Sequence, residues 1–213
     1  MGLAEGKDLQ IAKYRVEVGG AEKPAAYAYV ADSQALGPVL LQWESQVTEP
    51  LLYADSRIAE VAALAEKLEG LDTPEAGVMA WWDVSRQLAL LCDCNLRLHD
   101  HLGEQLLIPA SWRTQEGTIA GIEAGFWPAS TGDEQARLDL LASAMLSDEQ
   151  QGADKLRDLL PGKDGLLVVH VADAFKLGAH SPEQFGVGFK DFPDTGDMHG
   201  MIQRVKDWLK EQG

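Results

Sequence analysis

Cysteines and long apolar runs are both scarce in this sequence. No run of eighteen apolar residues occurs, so the sequence predicts no transmembrane helix within its 213 residues. The two cysteines, Cys92 and Cys94, have one residue between them and are too few for a disulfide framework. They are free, joined in a short loop, paired between chains, or metal ligands. Cysteine usage therefore leaves the redox compartment open.

Basic residues are also few, and this limits the classes of partner that the chain can bind. The chain has 18 Lys and Arg against 34 Asp and Glu, which gives a formal charge of −16. Sequence-independent binding of nucleic acid or anionic lipid needs the opposite sign, so we expect neither. The acids are scattered, which indicates a soluble acidic surface; recognition of a basic partner is the alternative.

Motifs for several common reactions are missing as well. No G-x-S-x-G segment is present, and no G-x-G-x-x-G or phosphate-binding loop follows a predicted strand. The sequence therefore predicts neither a serine hydrolase of that type nor nucleotide chemistry.

Hydrophobic periodicity changes near residue 55. Before it, alternating or compact apolar segments at 11–18, 25–30 and 38–43 predict a β meander. After it, helical and strand-like patterns alternate, which is typical of an α/β fold. We predict a mixed, partly parallel sheet flanked by helices. The chain forms one domain, 1–213, with residues 1–50 as an N-terminal β addition to a layered core at 55–213.

The elements of this core follow from the same patterns. Helices are predicted at 55–68, 86–91, 113–126, 133–146, 150–160 and 197–212. Strands are predicted at 76–81, 96–99, 105–108, 166–171 and 185–189. The run at 166–171 is continuously apolar apart from His170, so it is predicted to be a central strand covered on both faces.

Trp81, Trp82 and Asp83 end a short apolar strand and form the first candidate site. One tryptophan should enter the core, and the other should flank a groove beside the carboxylate. Asp83 caps the next helix, or it serves with Trp82 and Arg86 in recognition of a peptide, sugar or amine.

His170 and Asp173 form a second candidate binding pair at the end of the strand at 166–171. A histidine within an apolar run is more often a hydrogen-bonded core residue than a catalyst. A serine triad with Ser85 or Ser111 lacks its nucleophile motif.

Cys92, Cys94, His99 and His101 form a third cluster. Thiolates and imidazoles are ligands that zinc and copper favour, so the cluster predicts a possible four-ligand site for Zn or Cu. Its C-x-C-x₄-H-x-H spacing is not that of a zinc finger, and its members fall on different predicted elements. A loop cysteine pair with two surface histidines is the alternative, and no cofactor is otherwise predicted.

Ala80-Trp81-Trp82-Asp83 followed by Ser85-Arg86-Gln87 resembles the tryptophan-tryptophan-aspartate motif of oligosaccharyltransferase catalytic subunits. That resemblance implies a fragment of a membrane glycosyltransferase that recognises the acceptor. Two features depart from that family. Val84 and Ser85 stand where the family has a tyrosine position followed by a glycine. The catalytic acids of that family lie in membrane loops, which this sequence lacks.

The segment 74–113 and the ending Asp191-Phe192-Pro193, with Gly196 to Gly200, resemble the hydroxylamine oxidation protein family HaoB. Its members are encoded beside hydroxylamine oxidoreductase. The resemblance implies a periplasmic domain whose membrane anchor is absent from this chain.

Taken together, these features favour an extracytoplasmic accessory or binding domain linked to hydroxylamine or ammonia oxidation. We expect a binding role rather than a catalytic one, with a redox enzyme or a membrane system as partner. The alternatives are the metal-binding protein or small enzyme and the acceptor-recognition fragment. The sequence leaves the oligomeric state open.

Overall fold

The structure of the chain is a computed structural model. It describes residues 9–17, 22–24, 26–34, 36–45, 58–71, 75–100, 102, 117–118, 120–121, 133–162, 164–181, 184, 192 and 196–212. Within these ranges, no helix is long and apolar enough to cross a membrane.

The N-terminal strands form the predicted meander. β1 (Leu9–Val16), β2 (Ala26–Ser33) and β3 (Gly37–Ser45) lie antiparallel in that order. The pairing of β2 with β3 shifts by one residue between Tyr29 and Val30. The buried positions of β2 change from even to odd numbers across this point, as expected where a bulge increases the local twist.

The remaining elements form the mixed α/β core. They are α1 (Ile58–Glu69), β4 (Val78–Met79), α2 (Trp82–Leu91), α3 (Asp133–Met145), α4 (Glu149–Leu159), β5 (Leu166–Leu167), α5 (Asp173–His180) and α6 (Met198–Gln212). β4 pairs in parallel with β5 on one side and with Leu96, through a single bridge, on the other. The predicted class, a mixed and partly parallel sheet flanked by helices, is confirmed.

Helices cover both faces of β4. Val78 and Ala80 pack in one buried cluster with residues of α1 and α2. Met79 and Trp81 point the other way, into a second cluster with Leu138, Leu159 and others from α3, α4 and α5. The two-residue strand is therefore the centre of a layered core, because alternate side chains of a strand reach opposite faces.

Two neighbouring residues of α2 join the meander to this core. The Arg86 guanidinium donates hydrogen bonds to the carbonyls of Leu36 and Pro38, the second at 3.2 Å. The Gln87 amide donates to the Leu40 carbonyl at 3.0 Å. These bonds fix the β2–β3 turn against α2. That the chain is one domain stays a prediction.

The predicted start of α2 was wrong. The helix begins at Trp82, four residues before the predicted 86. Every residue from Val84 to Leu90 is buried, including the polar Ser85, Arg86 and Gln87. Polar residues here do not mark a solvent-exposed face, so they do not indicate where the helix begins. Asp83 therefore lies in the first turn, and the N-cap position belongs to Trp81.

The prediction of a central strand at 166–171 was also wrong. Only Leu166–Leu167 form β5, and β4 lies between β5 and Leu96. Leu166, Val168 and His170 are half-buried, while Val169 and Val171 are 56% and 87% exposed. One face of this segment is covered and the other is not, so an uninterrupted apolar run does not require burial on both faces.

The other predicted strands have mixed outcomes. The strand at 96–99 is reduced to the bridge at Leu96. The strands at 105–108 and 185–189 lie outside the described residues. Of the helix at 113–126, residues 117, 118, 120 and 121 are described, and they are helical.

Candidate functional site

The candidate site lies at the carboxyl ends of the two parallel strands. Asp83 follows β4 by four residues, and Asp173 follows β5 by six. Because β4 and β5 run in the same direction, both carboxylates arrive at the same edge of the sheet, where ligands commonly bind in open α/β sheets.

Lys176 joins these two carboxylates. Its Nζ lies 2.9 Å from Asp83 Oδ1 and 3.3 Å from Asp173 Oδ1. The Lys176 side chain is 12% exposed and that of Asp173 is 3% exposed, whereas the Asp83 side chain is 44% exposed. One ammonium between two carboxylates leaves a formal charge of −1, and Asp83 presents that charge to solvent.

Asp173 also orders the backbone at the start of α5. Its Oδ2 accepts a hydrogen bond from the His170 backbone N–H at 2.8 Å. The His170 ring is oriented by the same turn, because its Nδ1 accepts from the Ala172 N–H at 3.1 Å.

Arg86 is buried, and its guanidinium contacts backbone carbonyls. Besides the Leu36 and Pro38 carbonyls, its guanidinium donates to the His99 carbonyl at 2.8 Å. Burial lowers the pKa of Arg86 to about 10, while the negative charges of Asp100 and Glu134 act to raise it. Arg86 therefore stays charged at neutral pH, and these contacts give it a structural role at the core.

The two tryptophans point to different surroundings. Trp81 is buried, with its ring edge-on to His180 at 6.3 Å between centroids. His180 Nε2 lies 3.3 Å from Asp139 Oδ1, which connects α5 to α3. Trp82 is half-buried, and the Arg86 guanidinium lies 5.2 Å from its ring centroid.

Trp82 is held in place by the segment after α2. Its indole Nε1 donates a 2.7 Å hydrogen bond to the Asp100 carbonyl. The Asp100 side chain is 61% exposed, and its Oδ1 lies 3.7 Å from His99 Nε2. We name the surface formed by Trp82, Asp83 and Asp100 the Trp82 edge. It offers part of an indole together with two exposed carboxylates, and these groups can bind a cationic side chain through ion pairing and ring contact.

The two cysteines are joined to each other. Cys92 and Cys94 form a disulfide at the carboxyl end of α2, and Cys92 is buried within the cluster that includes Val78. In this form neither sulfur is a thiolate, the state that binds metal. His101 lies outside the described residues, and among those described no group of three His, Cys, Asp or Glu side chains could hold a metal ion. The zinc or copper site at Cys92, Cys94, His99 and His101 stays a prediction.

The structure therefore divides the predicted site residues into groups. Asp83 and Asp173 meet at Lys176, with His170 one turn away, whereas Arg86 and Trp82 meet beside Asp100. Sequence reasoning missed Lys176, although its position three residues after Asp173 places both on one helical face. It also missed Glu134, a buried acid of α3 whose Oε1 accepts from Arg137 at 2.7 Å. Nothing in the local pattern separates Glu134 from an exposed acid in a first turn.

Comparison with known families extends over the whole length of the chain. The family model described as HaoA-associated protein HaoB matches residues 1–213. The chain belongs to the HaoB family. The predicted resemblance to this family is confirmed, and the family's description associates it with HaoA, a redox enzyme of hydroxylamine oxidation.

Comparisons with curated proteins and with solved structures found no further relative of this HaoB-family chain. No curated protein and no solved structure matches it. The likeness to oligosaccharyltransferase catalytic subunits gains no support.

Proposed function

We propose that this HaoB-family chain is an extracytoplasmic accessory protein that binds HaoA through the Trp82 edge. The observation that carries the proposal is the pair of exposed carboxylates, Asp83 and Asp100, on residues next to a fixed indole. Asp83 is 44% exposed and Asp100 is 61% exposed, and the Asp100 carbonyl holds the Trp82 ring. Membership in a family described as HaoA-associated supplies the partner.

The chemistry of the Trp82 edge favours a basic contact on the partner. Asp83, Asp100 and Asp173 carry three negative charges and Lys176 and Arg86 carry two positive ones, so the local formal charge is −1. The chain as a whole carries −16. A lysine or arginine of HaoA at this position would gain ion pairing and contact with the indole, and long-range attraction would increase the association rate.

The disulfide between Cys92 and Cys94 supports the proposed extracytoplasmic location. Disulfides persist mainly in oxidising compartments such as the bacterial periplasm, and both cysteines of this chain are used in one. Rapid acid quenching and thiol alkylation of cells that make the protein would test this point. Protection of both cysteines is expected, and alkylation of the pair without added reductant would contradict an oxidising location.

Calorimetric titration of HaoA with the purified chain tests the partner. We expect saturable binding that weakens as salt increases, because the contacts involve exposed charges. Replacing both carboxylates, Asp83→Asn with Asp100→Asn, should cost about 1 kcal/mol, or roughly fivefold in Kd.

The matched control is Asp158→Asn, which removes an exposed carboxylate from α4. It should leave Kd unchanged within error. Absence of saturable binding by the wild-type chain would contradict the partner. Equal weakening by Asp158→Asn and by the double variant would contradict the Trp82 edge as the contact, because general acidity would then explain the affinity.

A further inference from the structure

The two carboxylate oxygens of Asp83 have different surroundings. Oδ1 accepts a hydrogen bond from the Val84 backbone N–H at 2.9 Å, and it lies 2.9 Å from Lys176 Nζ. A carboxylate oxygen has about two lone-pair sites, so these two donors fill Oδ1. A cation that approaches the exposed side of Asp83 from solvent therefore meets Oδ2, with the Lys176 ammonium already bound to the neighbouring oxygen.

Lys176 is held in this position by a second carboxylate. Its Nζ lies 3.3 Å from Asp173 Oδ1, and the Asp173 side chain is 3% exposed. If the ammonium moved into solvent, it would leave Asp173 as a buried charge without its counter-ion, which is costly. Lys176 is therefore expected to stay beside Asp83 when a second cation arrives.

The three charges lie at different depths below the surface. The exposed fraction of the side chain decreases from Asp83 (44%) to Lys176 (12%) and Asp173 (3%). A cation in solvent therefore meets a negative, a positive and a negative charge in that order. Lys176 and Asp173 together have no net charge, but their positive end is the nearer one. Because the Coulomb energy falls with distance, repulsion by the ammonium outweighs attraction by Asp173.

We propose that Lys176 is an internal competitor that limits how strongly a lysine or arginine of a partner binds at Asp83. The inference rests on the proposed function for its partner, HaoA, and it adds the residue that sets the strength of the contact. Lys176 stabilises Asp173 and, by the same position, weakens the Trp82 edge as a cation site. Removing the pair of Lys176 and Asp173 should therefore strengthen binding.

Calorimetric titration of HaoA with the double variant Asp173→Asn with Lys176→Met tests this proposal. The two substitutions remove one negative and one positive charge, so the net charge of the chain stays at −16 and only the local pattern changes. HaoA should bind this variant about two- to fivefold more tightly than the wild type, the range expected for one exposed charge contact. An equal or weaker affinity, for a variant that circular dichroism shows to be folded, would overturn the proposal.

Asp173→Asn alone should change the affinity in the opposite direction. Lys176 then keeps Asp83 as its described carboxylate partner, so it shields Asp83 more fully, while the asparagine oxygen can still accept from the His170 N–H. Kd should increase about twofold. Asp158→Asn, which changes the net charge equally at an exposed position of α4, is the matched control and should leave Kd unchanged. Tighter binding by Asp173→Asn would overturn the proposal.

A lysine peptide tests Lys176 independently of HaoA. Trilysine is titrated into the chain while NMR records the indole N–H signal of Trp82, which lies beside Asp83 and is assigned with Trp82→Phe. The double variant should saturate at about two- to fivefold lower trilysine concentration than the wild type. Asp83→Asn added to the double variant should remove this gain.

The two titrations separate failure of this inference from failure of the proposed function. A gain with trilysine and no binding of HaoA by any variant would contradict HaoA as the partner and support the role of Lys176. Binding of HaoA by the wild type, with no gain for the double variant in either titration, would overturn the role of Lys176 and leave the partner supported.

Discussion

Replacing Lys176 with methionine removes the ammonium that lies between Asp83 and Asp173. The substitution keeps most of the length of the side chain and much of its apolar volume, so the change is mainly electrostatic. Asp173 would be left as a buried carboxylate, 3% exposed, with the His170 backbone N–H as its remaining described partner. Asp83 would be affected less, because 44% of its side chain is open to water.

The expected loss in the free energy of unfolding follows from how deeply the two carboxylates are buried. Removing one member of a buried ion pair costs about 3–5 kcal/mol. Because Asp173 keeps its backbone hydrogen bond and Asp83 is solvated, we expect a loss near the lower limit, about 3 kcal/mol in the free energy of unfolding at pH 7. For a chain of this size, that corresponds to roughly 6–12 °C in Tm.

Urea denaturation followed by tryptophan fluorescence measures this loss. Lys206→Met, at an exposed position of α6, is the control and should change the free energy of unfolding by less than about 0.5 kcal/mol. Adding Asp173→Asn to Lys176→Met should recover part of the loss, because the buried charge is then removed. A Lys176→Met protein within about 1 kcal/mol of the wild type would refute the bridge as a significant stabilising contact.

Three further substitutions test other parts of the structure. Arg86→Met leaves the carbonyls that join the meander to α2 without their donor and should cost about 3 kcal/mol or more; amide exchange in β3 should increase, and unchanged exchange would contradict this role. Cys92→Ala with Cys94→Ala opens a loop of only three residues, so chain entropy predicts a loss of about 1.6 kcal/mol; thermal unfolding would show a small decrease, and a loss of the folded state would contradict it. Gly152→Ala would place a Cβ 2.7 Å from the Ala144 carbonyl oxygen and should destabilise by about 1–3 kcal/mol; a stabilised protein, as helix propensity alone predicts, would show that α3 and α4 separate easily.

The sequence predicted the fold class and the meander because their signals are local. Alternation marks strands that are covered on one face, and amphipathic periods mark helices such as α4 and α6. The same reasoning failed for two segments: one helix that is buried on all sides and one apolar segment that is buried on one side only. α2 is buried over Val84–Leu90, its polar residues included, so polar positions there do not mark a solvent face. The apolar segment after Leu166, in contrast, is open to solvent on one face.

The candidate site was partly predictable for a similar reason. Trp82 and Asp83 stand where a strand ends, and this is visible from the chain alone. The role of Arg86 depends on Leu36 and Pro38, about fifty residues earlier, and the role of Lys176 depends on Asp83, about ninety residues earlier. Periodicity carries no information about contacts over such separations, so the roles of these two residues could not be predicted from the sequence alone.

Photo-crosslinking tests the central claim, that the Trp82 edge contacts HaoA, most directly. A photoreactive amino acid placed at Asp100, which is 61% exposed, should crosslink to HaoA, and excess unlabelled wild-type chain should suppress the product. The same amino acid at Asp158 on α4 should give no product. Equal crosslinking from both positions, or crosslinking from Asp158 alone, would contradict the claim.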